Sequence, residues 1–434
     1  MDASPAPLPG RRYGSLVAKF PFTLLDEILH HYDRPDEPQT VQIELEVPGR
    51  LDGERVRRAV DVAVSRHLLA QVCKLRPRIG LIPAEWTTST DLAVHTSTAA
   101  AADDIRAEFY STPIPLDRPP PVRVVVVPDD DHSRVLLSAN HSAFDGMSCV
   151  RFLASVARAY AGDPDPGPLI DERDARDLPA VLGTSELTAA DEWQGLTDLL
   201  QPSTALPARG RNAPGYQFAL RRLSPDQTAA VRTRKDAGAT VNDVLLAAAH
   251  LTVGRWLERD GEHAPKVTVT APVNLRPPEW SEDVIGNYST QMVTSSSDLR
   301  TNPEDALATV VTQTRDQKNS RSAWAAFDRA VLTNSLPLLL GLGAAAPPDT
   351  MLLSNLGRLE TTFDFGPGLS ATELWFSPPC FMPMGIAIGI GTTIGADPAA
   401  TLLTFRARAA LFGQPLTDKF ADAYVEALHD VTSP

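Results

Sequence analysis

His141 and Asp145, four residues apart in the run Ser138-Ala-Asn-His141-Ser-Ala-Phe-Asp145-Gly146, are the side chains of this sequence best placed for chemistry. An imidazole titrates near neutrality, so it suits removal of a proton from an alcohol or amine. A carboxylate one helical turn away can turn back to fix the local backbone and the ring's orientation. Such a unit needs a strand that ends before the histidine and a helix that starts after the glycine. Both are legible. Val122 to Val127 and Ser133 to Ser138 predict two strands joined by a polar turn through Pro128 and Asp129 to Asp131. Met147 to Ala161 predicts an amphipathic helix closed by Gly162.

The remaining elements frame this unit. Val41 to Val47 alternates strictly and predicts a strand with one wet face. Asp52 is positioned to cap a helix whose apolar face carries Val56, Ala59, Val60 and Ala63, and Asp103 or Asp104 to cap another that ends before Pro113. From Gly162 to about Pro214 the periodicity weakens and turn residues accumulate. Residues 166–214 therefore read as a linker between units 1–165 and 215–434, with short helical pieces near Leu187 to Leu200. The second unit predicts a strand at Tyr216 to Leu223, helices at Pro225 to Lys235 and Val241 to Glu258, and a strand at Lys266 to Val273. Helices follow at Pro303 to Asn319 and Ala323 to Leu340, then strands at Met351 to Ser354, Glu373 to Ser377, Met384 to Ile390 and Thr401 to Ala407, and a helix at Leu416 to Leu428. This mixed order points to α+β rather than a regular βαβ series.

Composition excludes several function classes. At 434 residues the chain can hold two cores, and its hydrophobic and charged fractions, 43% and 22%, are those of a globular protein. The formal net charge of −14, without a Lys/Arg tract, argues against nucleic acid. Cys73, Cys149 and Cys380 are odd in number and far apart, which suggests neither a disulfide framework nor a zinc site, and suits a reducing compartment. Cys149, one turn after Asp145, reads as core rather than nucleophile. Met1 to Gly10 lacks an apolar core, and the apolar stretch Leu336 to Ala346 is far short of a membrane span, so a soluble cytoplasmic protein is expected. His30 and His31 have no ligand cluster around them, and no metal is expected. The glycines of Gly389 to Gly395 imitate a dinucleotide loop with the third glycine misplaced, and no Gly-x-Ser-x-Gly elbow of a serine hydrolase occurs.

His141-Ser-Ala-Phe-Asp145-Gly146 resembles the His-x-x-x-Asp-Gly signature of thioester-dependent acyltransferases of the chloramphenicol-acetyltransferase-like superfamily. That group includes nonribosomal peptide condensation domains, BAHD acyltransferases, wax ester synthases and polyketide-associated acyltransferases. Further segments resemble the family in the same order: Phe20 to Asp26, Thr240 to Ala249, Ala271-Pro-Val-Asn-Leu-Arg276 and Leu353-Ser-Asn-Leu-Gly357. The resemblance spans almost the whole chain. It implies two chloramphenicol-acetyltransferase-like subdomains, each a mixed β-sheet flanked by helices, with the active site at their interface. It also implies a freestanding acyltransferase that moves an acyl group from a pantetheine thioester to a hydroxyl or amine of a small molecule. Coenzyme A or an acyl or peptidyl carrier protein would bear the pantetheine. No tightly bound cofactor is implied, and a monomer is expected.

In this scheme His141 is the general base, and no acyl-enzyme forms. Asp145 is an orienting carboxylate paired with Arg276, and Gly146 lets the backbone approach and offers an N–H to the oxyanion. Asn140, Ser354 and Asn355 line the substrate channel. Two departures stand out. Many condensation domains carry a histidine where this chain has Asn140, which weakens the case for peptide-bond formation. Asp364-Phe-Gly-Pro-Gly368 resembles a BAHD motif with Pro367 in place of tryptophan, and reads as a turn. Arg221, Arg222, Arg232, Arg234 and Lys235 form a basic segment that reads as a solvated helix face rather than a phosphate or carrier site. Two other uses of the fold stay open: a repurposed reaction on a tethered intermediate, such as cyclisation, and a noncatalytic carrier-docking module. The proline-, alanine- and arginine-rich composition is that of a high-GC bacterium, where such enzymes commonly serve specialised metabolism.

Overall fold

The computed structural model describes residues 18–77, 79, 82–93, 95–99, 102–166, 170–177, 203–207, 213–233, 238–259, 261, 266–277, 280, 283–296, 302–320, 349–382, 384–396 and 399–433. The helical pieces expected near Leu187 to Leu200 and Ala323 to Leu340, and the basic residues Arg234 and Lys235, lie outside the described residues.

The first half starts with β1 (Lys19–Pro21), α1 (Leu24–Tyr32), β2 (Thr40–Pro48) and α2 (Gly53–Arg66). It continues with β3 (Val72–Arg76), β4 (Glu85–Thr88), β5 (Thr96–Thr98), α3 (Ala102–Ser111), β6 (Val122–Pro128), β7 (His132–Asn140) and α4 (Gly146–Ala161). Alternation in β2 sends Val41, Ile43, Leu45 and Val47 into a core built with Val56, Ala59, Val60 and Ala63 of α2 and Val150, Leu153 and Ala157 of α4. Asp52 caps α2 by accepting from the Arg55 N–H at 2.6 Å, and Gly162 ends α4 in the left-handed conformation.

The opposite face of β2 is not wet, contrary to expectation. Thr40, Gln42 and Glu44 are buried there because each has a partner that offsets its desolvation. Arg106 of α3 clamps Glu44 with two 2.9 Å hydrogen bonds, and Gln42 donates to the Tyr110 carbonyl at 2.9 Å. On this side Tyr110, Val125 and Leu136 meet Tyr216, Phe218 and Leu352, which come from the second half.

That half contains β8 (Tyr216–Arg222), α5 (Pro225–Thr233), α6 (Val241–Glu258), β9 (Val267–Asn274), β10 (Ser289–Ser296) and α7 (Pro303–Ser320). It ends with β11 (Met351–Asn355), β12 (Glu373–Ser377), β13 (Ile386–Thr393), β14 (Thr401–Arg408) and α8 (Gln414–Thr432). Helix α6 is apolar around most of its circumference and lies in the centre of a second core, against Phe420, Tyr424 and Leu428 of α8 and the inward residues of β9, β11, β13 and β14.

The pairing is mixed. β5 is parallel to β6, then β6, β7, β2 and β12 run antiparallel in turn. In the second half β10–β9 and β13–β14–β8 are antiparallel, and β9–β11–β13 are parallel. β12 joins the two sets. It pairs with β2 over Glu373 to Ser377 and with β13 at Glu373 and Leu374. Phe363, Phe365, Leu374 and Phe376, late in the sequence, therefore complete the core of the first half. The glycines that imitate a dinucleotide loop belong to this junction. A Cβ at Gly389 would lie 1.9 Å from the Phe376 carbonyl oxygen, and one at Gly391 2.0 Å from that of Leu374. They are glycines because another backbone crosses them.

The Asp364 to Gly368 segment is a turn, as expected: the Gly366 N–H donates to Asp364 Oδ1 at 2.9 Å, and Asp364 bridges to Ser370.

Candidate active site

His141 follows the last residue of β7, and its N–H extends the ladder by one bond, to the Gln39 carbonyl at 2.8 Å. The ring is partly exposed, with Nδ1 turned inward and without a hydrogen-bond partner, so Nε2 is the nitrogen on the open side. Burial pulls the imidazole below its ordinary value of 6.5. The charge of Asp145, the nearby backbone of His141 and Phe144, and Asn287 act the other way without cancelling it. The ring is therefore neutral at pH 7, the state a base requires.

Asp145 caps α4. Its Oδ1 accepts from the Ser148 N–H at 2.9 Å. The same carboxylate receives Arg276 in a two-pronged pair, Nη1 to Oδ2 at 2.7 Å and Nη2 to Oδ1 at 2.8 Å, and the Tyr288 N–H reaches Oδ2 at 3.1 Å. Both side chains are buried, 5% and 1% exposed, so the pair is shielded from solvent screening. Burial alone would raise the Asp145 pKa. The charge and hydrogen bonds of Arg276 outweigh it and hold the carboxyl below 3.8. Arg276 is itself pinned by the Val284 and Gly286 carbonyls, at 3.1 and 3.0 Å from Nη2, and lies over the Tyr288 ring at 4.8 Å. Asp145 thus spends its carboxylate on Arg276, Ser148 and Tyr288, and bolts the loop that carries His141 to the other half of the molecule.

Gly146 opens α4, where backbone N–H groups have no intrahelical acceptor. A Cβ there would come within 2.7 Å of Leu356 Cδ2 and 3.3 Å of Phe376 Cε2. The strand end Ser354 to Leu356 is thereby placed against the first turn of α4. Ser354 is buried, and it shares a face of β11 with Leu352 in the layer between the halves.

Two expected channel residues have other duties. The Asn140 side chain is completely buried: Nδ2 donates to Asp33 Oδ2 at 2.9 Å and to the Ile114 carbonyl at 3.0 Å, and Oδ1 accepts from the Ser142 N–H at 2.9 Å. With its polar atoms so engaged it braces the loop that carries His141. Asn355 donates to Asn242 Oδ1 at 2.7 Å and accepts from the Gly357 N–H at 2.9 Å, which fixes the turn after β11 to the start of α6.

Asn287 was not legible as a site residue. It is buried and donates to Asp26 Oδ1 at 3.0 Å and, at 2.9 Å, to the carbonyl of Ser142, the residue after His141. Its neighbours are 261 and 145 residues distant in sequence, so spacing carries no trace of it.

The partly exposed His141 imidazole, the buried Asp145–Arg276 pair and the start of α4 thus come together where the two halves meet. The model of the condensation domain matches residues 28–338, and the chain belongs to that family. It is 34% identical over 431 residues to the uncharacterized protein Rv2305 of Mycobacterium tuberculosis (strain ATCC 25618 / H37Rv), covering 94% of this chain and 98% of the relative. Among solved structures it is similar to the first condensation domain of the calcium-dependent antibiotic synthetase in complex with a substrate analogue, with TM-score 0.70 and 17% identity over 95% of this chain and 96% of that one. It is also similar to the TRI3 trichothecene 15-O-acetyltransferase of Fusarium sporotrichioides, with TM-score 0.71 and 13% identity over 95% of each chain. These structures share its fold of two subdomains with mixed sheets and flanking helices.

Proposed function

We propose that this protein is a freestanding acyltransferase that moves an acyl group from a pantetheine thioester to a hydroxyl or amine, forming an ester or amide. The observation that carries this reading is the open Nε2 of a neutral His141, held by the Asp145–Arg276 pair at the junction of the two halves. Nε2 takes the proton of the acceptor O–H or N–H as the heteroatom attacks the thioester carbonyl. The oxyanion forms beside the first turn of α4, where the Gly146 N–H and the positive end of the helix stabilise it. Collapse breaks the C–S bond, and the departing thiolate takes the proton back from the imidazolium. Atoms and charge balance without an acyl-enzyme.

Membership of the condensation family supports a pantetheine donor, borne by coenzyme A or by a carrier protein, in bacterial natural-product biosynthesis. The likeness to an O-acetyltransferase supports a hydroxyl acceptor as readily as an amine. Among the described residues no helix is long and apolar enough to cross a membrane, and the three cysteines are free and buried. We place the reaction in the cytoplasm, with one chain supplying the whole site. The test is thiol release from a panel of acyl-coenzyme A and acyl-carrier thioesters with pooled alcohols and amines. Acceptor-dependent release that His141→Ala abolishes supports the reading. Wild-type protein that releases no thiol from either donor class overturns it.

A further inference from the structure

Resting on the acyl-transfer reading, we propose that Asp26 and Asn287 are positioning residues through which Arg176, on the segment that follows α4, sets the backbone of the loop carrying His141. Nδ1 of His141 is buried without a hydrogen-bond partner, so no bond through that atom aims the ring, and its placement follows the backbone. That backbone is held on both sides of the ring. The His141 N–H donates to the Gln39 carbonyl at 2.8 Å and the Ser142 N–H to Asn140 Oδ1 at 2.9 Å, both within the first half. The Ser142 carbonyl accepts from Asn287 Nδ2 of the second half at 2.9 Å. This last clamp is only as firm as the groups behind the amide.

Behind it stands Asp26, whose Oδ1 accepts from the same Nδ2 at 3.0 Å. A carbonyl and a carboxylate both accept, so the two hydrogens of the amide are both used and its plane is fixed. Asp26 is fully buried in the first turn of α1. Closing that turn requires only the Thr23 N–H, which donates to Oδ2 at 3.0 Å. The carboxylate gathers more than a cap needs: Oδ2 also accepts from Trp86 Nε1 at 3.2 Å and from Arg176 Nη2 at 2.7 Å. The bond to Arg176 is charge-assisted and shielded from water, which makes it the strongest of the set. Arg176 is fixed in turn, over the Phe20 ring at 4.8 Å and on the Pro21 carbonyl at 2.9 Å. Its neighbour Ala175 accepts from the Tyr288 hydroxyl at 2.8 Å, which holds the segment independently of the Arg176 side chain. Arg176, Asp26 and Asn287 thus form one continuous line that ends on the residue after His141.

The experiment combines amide hydrogen exchange, read by mass spectrometry, with a double-mutant cycle in kcat. Asn287→Ala should speed exchange over residues 138–146 by about 10-fold, as the loss of a hydrogen bond allows, and leave exchange in α6 unchanged. Its kcat should fall about 10- to 100-fold, the effect of a misplaced reacting group, with KM changed less than about 2-fold. Arg176→Met should act in the same direction in the wild-type background. In the Asn287→Ala background, where the line is already cut, it should change kcat less than about 2-fold. Arg176→Lys keeps a cation for Asp26 and should recover most of the lost kcat. Asn287→Ala leaves the Asp26–Arg176 pair intact, so it carries the test if Arg176→Met does not fold. Unchanged exchange over residues 138–146 in Asn287→Ala, exchange that rises equally in α6, or effects of the two substitutions that multiply in full overturns the proposal. Wild-type protein that releases no thiol while the variants show the expected exchange counts against acyl transfer and leaves the positioning line supported.

Discussion

At the residue scale, Asp145→Ala removes the partner of a buried guanidinium and leaves its charge uncompensated. Breaking such a pair costs about 3–5 kcal/mol, and Ser148 loses the carboxylate that caps α4. Chemical denaturation should show that loss, and turnover should drop with it because the His141 loop loses its anchor. A variant as stable and as active as wild type would end the orienting role. His141→Ala is the contrasting case. The ring's Nδ1 has no hydrogen-bond partner to lose, so stability should hold while kcat/KM falls by about 10²–10⁴. The pH dependence follows from two depressed groups. Histidine works as a base only when neutral, so kcat/KM should be flat at pH 7 and fall on acidification with a midpoint below 6.5; an acid limb centred above that value would contradict the burial argument. Asp145 has a folded pKa below its ordinary 3.8, so its contribution to stability is present above that value and lost as pH falls through the folded value. The candidates legible in the sequence were those grouped locally: His141, Asp145 and Gly146 sit within six positions, and Arg276, which pairs with Asp145, lies within a motif. The bracing bonds of Asn140 were not legible because its partners, Asp33 and the Ile114 carbonyl, are distant in sequence.

At the element scale, β10 is a strand that the sequence analysis did not expect, and its inward face is mostly polar. β10 turns Thr290, Met292, Thr294 and Ser296 inward, and its hydroxyls are satisfied by His250, with Thr294 Oγ1 at 3.0 Å and Ser296 Oγ at 3.3 Å from the ring nitrogens. Period-2 alternation of threonine with polar residues has no hydrophobic signal, so the strand is invisible until α6 brings the histidine to it. The helix α6 itself, apolar and capped by a Thr240–Asp243 box, has the same bounds in sequence and structure. The β12–β13 junction yields a prediction at this scale. Gly389→Ala places a methyl 1.9 Å from a backbone carbonyl oxygen that cannot swing aside. Overpacking of this kind costs about 1–3 kcal/mol when side chains can adjust, and more here because backbone must move. Gly389→Ala should lower the thermal midpoint and the yield of folded protein well beyond Gly413→Ala, where the nearest atom to an added Cβ is 3.9 Å away. Equal midpoints for the two variants would mean that β12 does not press on β13.

At the scale of the whole molecule, the two cores are fastened together at three independent places. β12 carries Leu374 and Phe376 from the second half into the first core. Arg276 of the second half holds Asp145 of the first. Arg406 of β14 is fully buried, donates to the Thr40 carbonyl at 3.0 Å and the Pro378 carbonyl at 3.3 Å, and stacks over Tyr216 at 3.8 Å. Chains of this length commonly unfold domain by domain. Here neither core can open without exposing polar groups that the other satisfies, so the halves should unfold as one cooperative unit. Trp86, fully buried in the first core, and Trp256 in the second are natural reporters. Single-tryptophan variants that retain one or the other should give coincident urea midpoints. Arg406→Met, which deletes the hydrogen bonds to β2 while keeping apolar bulk, should pull those midpoints apart before it abolishes folding. Separate midpoints in the wild-type background would show that the site lies on a joint that opens on its own. Coincidence would show that His141 and the strand end opposite it are held in one rigid frame.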